Sequence, residues 1–192
     1  MKNWMKDFQE KRMLIFGELV KRYWSGSLKS ARDLDRLSLD IKQKFGLSQS
    51  DLPFIKDHIR IAMGLDPTGK PDFNEELDIV ARSEEVREPI ISKIHGVCEY
   101  CGSKKCTDAC KHEADIYRRS EEPVIVNNKC VGCGECISSC DFGALADKIE
   151  FIPLIHLLRD ADTAVFAAVA PAIAGQFGDN VSMGQIGRAS CR

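Results

Sequence analysis

Apolar residues recur at helical spacing through most of the first half of this chain. Phe8, Ile15, Leu19 and Tyr23 keep roughly helical intervals up to Ser25-Gly-Ser, and Leu34, Leu37, Ile41 and Phe45 do the same up to Gly46. A third segment, Leu52 to Met63, places Ile55, Ile59 and Met63 on one face and stops at Gly64. The run Asp66-Pro-Thr-Gly-Lys-Pro-Asp breaks the pattern. A last helix is expected near Glu75 to Arg87, ending before Pro89 because proline disfavours helical backbone in the residue before it. The helix pair around Gly46 has the outline of a helix-turn-helix. Its acidic and basic residues are interspersed without a basic stripe, so it reads as an ordinary pair with solvated or docking faces.

In the second half the period changes. Ala114-Asp-Ile-Tyr-Arg and Pro123-Val-Ile-Val-Asn read as short strands joined by the charged turn Arg118-Arg-Ser-Glu-Glu, and Phe142-Gly-Ala-Leu-Ala begins what looks like a symmetry mate of the first. Around these strands lie two cysteine quadruplets: Cys98-x2-Cys101-x4-Cys106-x3-Cys110 and Cys130-x2-Cys133-x2-Cys136-x3-Cys140. The second has the bacterial ferredoxin spacing, in which three close thiolates wrap one 4Fe-4S cubane and the fourth reaches the other cluster. By that logic Cys98, Cys101, Cys106 and Cys140 hold one cluster, and Cys130, Cys133, Cys136 and Cys110 hold the second. The first run carries two extra residues before its third cysteine, and Lys111 and Asp141 stand where proline usually follows the fourth. Gly132 and Gly134 supply positive φ angles and close backbone approach, which amide-to-sulfur hydrogen bonds require.

Structural zinc is the competing use of such thiols, but it favours two separated C-x2-C pairs, and three thiols within seven residues overcrowd one tetrahedral ion. Disulfides need an oxidising compartment. Met1 to Glu10 contains no uninterrupted apolar stretch of signal-peptide type, so reduced thiols in a cytoplasmic protein are the expectation. Eight thiolates complete two clusters. His95 and His112 are therefore expected beside the clusters rather than as ligands, and His58 and His156 as surface or packing residues.

Composition adds a frame. A chain of 192 residues, 44% hydrophobic and 29% charged, has room for one domain and a small second one. Its formal charge of -2 argues against nonspecific nucleic-acid binding. The apolar stretch from Thr163 to Gly175 is too short to span a bilayer and is interrupted by Pro171, so no membrane segment is expected. Ala164-Val-Phe-Ala-Ala-Val-Ala-Pro reads instead as a buried strand, and Ala172 to Phe177 as the start of a helix, the way an α/β domain opens. Exposed apolar surface is expected around Val165 to Ile173, because one strand cannot bury its own faces.

A two-cluster ferredoxin module, then Ile152-Pro-Leu-Ile, then Val165-Phe-Ala-Ala-Val-Ala-Pro-Ala-Ile-Ala-Gly-Gln-Phe-Gly resembles the entry to the catalytic domain of iron-only (FeFe) hydrogenases. Phe16-Gly-Glu-Leu-Val-Lys-Arg-Tyr-Trp-Ser-Gly is similar to the N-terminal segment of a less studied branch of that family. The resemblance implies a parent enzyme interconverting protons, electrons and dihydrogen. The active-site H-cluster would belong to the parent alone, since motifs such as T-S-C-C-P and C-x-G-G-C do not occur here and no catalytic residue carries over. The expected class is α+β: a helical region at 1–89, a two-cluster ferredoxin-like module at 90–152, and a linker with the first strand and helix of a truncated α/β catalytic domain at 153–185. Residues 186–192 back-translate to what looks like a sequencing adapter read in frame, so they are expected to be a non-native tail and Cys191 to have no metal role. The expected partners are a soluble electron carrier such as ferredoxin and the missing catalytic domain. Two other readings stay open: a ferredoxin-type electron-transfer subunit of another oxidoreductase, and a structural or regulatory metal module.

Overall fold

The computed structural model describes residues 4–83, 88–94, 97, 101–116, 124–126, 128–166, 182 and 184. Four helices form the first part: α1 (Trp4–Trp24), α2 (Ala31–Lys44), α3 (Leu52–Ala62) and α4 (Phe73–Ala81). Each of the first three follows its apolar stripe. Ile15, Leu19 and Tyr23 of α1 are buried, and α2 buries Leu34, Leu37, Ser38 and Ile41, one face of a 3.6-residue helix. Ser38 is tolerated there because its hydroxyl donates to the Leu34 carbonyl at 2.9 Å. Ser30 caps α2 by accepting from the Asp33 amide, and Asp72 caps α4 through the amides of Asn74 and Glu75 at 2.9 and 3.1 Å. Helix α4 is shorter than its sequence pattern, with Arg82 as its C-cap; residues 84–87 lie outside the described set.

Helix α3 is the centre of the packing, burying Phe54, Ile55, His58, Ile59, Arg60 and Ile61 among others. The buried charge on Arg60 is answered by Glu76 of α4, to which it donates. Arg60 Nε also donates to the Asp66 carbonyl at 2.6 Å, and Glu76 accepts from the Asp66 amide at 2.8 Å. Three groups thereby close the loop between α3 and α4.

Two small antiparallel sheets make up the cysteine-bearing part. Strand β1 (Ile91–Lys93) pairs with β4 (Leu145–Asp147), Ile91 opposite Asp147 and Lys93 opposite Leu145. Strand β2 (Asp115–Ile116) pairs with β3 (Val124–Ile125), Asp115 opposite Ile125. The β2–β3 hairpin and β4 lie where the sequence pattern puts them. Strand β1 has no counterpart in that pattern, since three residues carry no period. Short helices α5 (Lys105–Ala109) and α6 (Glu135–Ser138) carry the third cysteine of each run.

Alternation along β4 divides the interior. Ala144 and Ala146 belong to the core formed with the helices, together with Ile94, whereas Leu145 joins Ile91, Cys106, Cys136 and Ile137 in a second cluster. Small side chains on the first face let the helices approach the sheet closely.

After β4 the sequence pattern suggests a linker, but Phe151–Arg159 forms helix α7. Pro153 is its third residue, where the missing N–H would have no partner within the helix. Phe151 meets the rings of Phe16 and Tyr23 edge to face, centroids 5.4 and 5.7 Å apart, and Ile152 and Ile155 are buried. The chain divides into a compact unit of residues 1–156 and a second of 157–192. In the second, Asp160 accepts from the Thr163 hydroxyl at 2.6 Å. The expected buried strand does not form over its described part: residues 164–166 are irregular and Phe166 is 91% exposed. Its remainder, the following helix start, and the expected tail with Cys191 lie outside the described residues. Among those described, no helix is long and apolar enough to cross a membrane.

Candidate metal centre

The second cysteine run is built from a loop and one turn of helix. Cys130 is held by its amide on the Val126 carbonyl at 3.0 Å. The loop then turns twice through the left-handed region, at Gly132 (φ 67°) and Gly134 (φ 77°), as the sequence requires. Gly134 caps α6, which buries Cys136, and the Cys140 amide closes the turn on the Ile137 carbonyl at 3.1 Å. Cys130, Cys133 and Cys136 line one pocket, and the fourth cysteine on its wall is Cys110 of the first run. Ile91, Ala114, Ile125 and Val131 complete an apolar lining, with His112 and Glu135 beside them. Four thiols around an apolar pocket fit a polynuclear iron-sulfur group, which thiolates hold and an apolar shell shields from water. Among the described residues, no three His, Cys, Asp or Glu side chains gather as a site for a single ion.

The first run repeats this plan thirty positions earlier. Helix α5 corresponds to α6, Cys106 to Cys136 and Cys110 to Cys140. Lys104 caps α5 in the left-handed conformation (φ 50°) that Gly134 adopts before α6. The Ala114 amide donates to Cys110 Sγ at 3.3 Å, and the Ala144 amide donates to Cys140 Sγ at 3.2 Å. Such bonds favour the thiolate. Lys105, next to Cys106, pairs with Asp141, next to Cys140, at 2.7 Å. Asp141, a departure from the usual proline, thus ties the fourth cysteine of the second run to the first run. Burial pushes the Cys101 thiol up, but hydrogen bonds from the Lys104 backbone and from Ser103 outweigh it, and the net effect lowers its pKa. Thr107, beside Cys106, has a buried hydroxyl with no partner among the described residues, a donor available to a bound group. Cys98 and His95 lie outside the described set, so only three cysteines of the first run are described.

His112 lines the pocket of the second run, as its position beside Cys110 suggests. His156 bonds Tyr23 Oη at 2.9 Å, a packing role. His58 is also a packing residue, but its partner is one the sequence does not indicate: Nε2 lies 2.7 Å from the carbonyl of Gly143, three residues beyond Cys140. A carbonyl only accepts, so Nε2 carries the proton. Burial first, and then the Arg12 charge, depress its pKa to about 3, leaving a neutral ring. Arg12 itself pairs with Asp147 at the end of β4. These partners lie 85 and 135 residues apart in sequence, and no local pattern announces them.

Residues 123–146 match the family of 4Fe-4S binding domains. The chain therefore carries an iron-sulfur domain of the ferredoxin type, in the electron-transfer class. Its relatives include an iron-sulfur-type match in tetrathionate reductase of Archaeoglobus fulgidus, one of whose subunits is 37% identical over 49 residues, or 25% of this chain and 23% of that protein. The like-named tetrathionate reductase subunit from Salmonella typhimurium is 29% identical over 85 residues, 40% of this chain and 32% of that one. An uncharacterised ferredoxin of Methanocaldococcus jannaschii is 28% identical over 85 residues, 43% and 56% of the two chains. The chain thus spans less than two thirds of each of these relatives. No solved structure matches it. The homology is to subunits of other oxidoreductases and to a ferredoxin, which favours the ferredoxin-type reading over the hydrogenase with its H-cluster.

Proposed function

We propose that this chain is an electron-transfer domain or subunit of a larger oxidoreductase, holding two 4Fe-4S clusters. Cys98, Cys101, Cys106 and Cys140 ligate one; Cys130, Cys133, Cys136 and Cys110 ligate the other. The observation that carries the reading is the pocket whose wall joins Cys110 to Cys130, Cys133 and Cys136 across the two runs. The Lys105–Asp141 pair supports the reciprocal grouping of Cys140 with Cys101 and Cys106. Thiols ringing a pocket suit a polynuclear cluster better than one zinc ion. When bound, such clusters supply one-electron transfer with little rearrangement. The chain's own part is to fix the thiolates, direct amides at their sulfurs and keep water from the apolar wall. A soluble electron carrier as partner and a cytoplasmic location belong to the same proposal. The hydrogenase assignment is set aside because the segment that suggests it lies mostly outside the described residues and the relatives do not carry it.

Anaerobic reconstitution, iron and sulfide quantitation, and electron paramagnetic resonance of the reduced protein test this. About eight irons and eight sulfides with two magnetically coupled signals are expected. Bound zinc, or one cluster only, would overturn the ligand assignment.

A further inference from the structure

The Gly143–Ala144 peptide makes two hydrogen bonds in opposite directions. Its carbonyl accepts from His58 Nε2 at 2.7 Å, and its amide donates to Cys140 Sγ at 3.2 Å. One resonance-coupled group therefore joins a buried histidine of α3 to the sulfur of a proposed cluster ligand. Donation to a peptide oxygen draws electron density from its nitrogen and strengthens the bond its N–H makes, the polarisation expected along hydrogen-bond chains at low dielectric. His58 is 5% exposed and Ala144 3%, so water does not screen the chain. The ring is fixed as well as buried, stacked edge to face on Phe54 with centroids 4.7 Å apart.

We propose that His58 is a positioning residue that raises the reduction potential of the cluster ligated by Cys140, acting through the Gly143–Ala144 peptide. Resting on the two-cluster reading above, this adds an asymmetry to it. The two cysteine runs are near repeats, with Ala114 donating to Cys110 as Ala144 donates to Cys140. The helical region places its histidine on the Cys140 side. A stronger N–H···S bond stabilises the extra negative charge of the reduced cluster and so favours reduction. Two otherwise similar clusters are thereby separated in potential, which gives the relay a direction. The neutral ring donates through Nε2–H throughout the physiological range.

The test is a redox titration of the reconstituted protein followed by electron paramagnetic resonance, with iron and sulfide counted first in every variant. His58→Phe keeps an aromatic ring and removes the donor, whereas His58→Gln keeps a neutral N–H. In His58→Phe one of the two potentials falls and the other holds. The expected change is about threefold in the reduction equilibrium, or ~28 mV at about 59 mV per tenfold for one electron. His58→Gln returns most of that shift, and Cys140→Ser moves the same couple. If His58→Phe loads poorly, His58→Met fills similar space without a donor and replaces it. Two clusters present with neither potential moved, or both moved alike, overturn the role of His58. Fewer than two clusters in the unsubstituted protein overturn the underlying reading instead.

Discussion

Replacing Glu76 by Ala removes both acceptors that hold the loop between α3 and α4. Arg60 is left with the Asp66 carbonyl alone, its side chain 9% exposed, and the Asp66 amide loses its partner. Removing one member of a buried ion pair strands the other charge and typically costs about 3–5 kcal/mol. Glu76→Gln keeps an oxygen for the Asp66 amide but lowers the Arg60 bond from charged to neutral, a loss of about 1.5–3 kcal/mol. For a domain of this size each kcal/mol lowers the melting temperature by about 2–4 °C, so the alanine variant should melt roughly 10 °C early. Urea denaturation of the reconstituted protein under anaerobic conditions, followed by far-ultraviolet circular dichroism, reads the loss. The double substitution Arg60→Met with Glu76→Leu removes both charges, and it should be more stable than Glu76→Ala. A loss below about 1 kcal/mol for Glu76→Ala, or a double variant worse than the single, would show that water reaches Arg60 and would refute the buried-pair argument.

Cross-ligation predicts that Cys110→Ser disturbs the cluster held by Cys130, Cys133 and Cys136, while Cys140→Ser disturbs the other; redox titration of the two variants should show different couples moving. Gly134 sits at φ 77° with open space around its missing Cβ, so Gly134→Ala should cost about 1–2 kcal/mol from backbone strain alone. Lys104 holds the matching left-handed position, and Lys104→Gly should stabilise by up to about 1 kcal/mol by urea midpoint. His58 has a folded pKa of about 3 against 6.5 unfolded. Its contribution is therefore complete above pH 6.5 and is lost as pH falls toward 3. Between about pH 7.5 and 5.5 the protein should lose about 1.4 kcal/mol of stability, a slope that His58→Gln flattens.

The legible parts of this chain are those set by local rules. Helices α1 to α3 follow apolar stripes whose period is a backbone property, and Gly134 has the backbone angle its place between cysteines demands. The metal chemistry is legible because thiol spacing along a short loop limits what the thiols can surround. Strand β1 escapes because three residues that pair with β4, 54 positions on, show no period of their own. Helix α7 escapes because Pro153 reads as a breaker, yet at the third residue of a helix it breaks nothing. The Glu76–Arg60 and His58–Gly143 contacts are invisible for the same physical reason: a buried polar group takes whatever partner the fold brings, and sequence distance does not constrain it.

The alternation of β4 gives these contacts their meaning. A strand buried on both faces must satisfy two environments with residues that point alternately up and down. Here Leu145 packs beside Cys106 and Cys136, while Ala144 and Ala146 meet the helices. The cysteine module and the helical region thus share a strand, and helical packing fixes the backbone from which Ala144 reaches Cys140. A ferredoxin module standing alone would expose that second face to water, whose mobile dipoles would compete for the Gly143 carbonyl. Covered by α3, the same carbonyl meets one fixed donor in a low-dielectric setting, where a hydrogen bond is stronger and its geometry constant. The helical region is therefore more than a spacer before the cysteines: it is part of the shell around one of the two sites, and substitutions in α3 far from any thiol should be read for their effect on that site first.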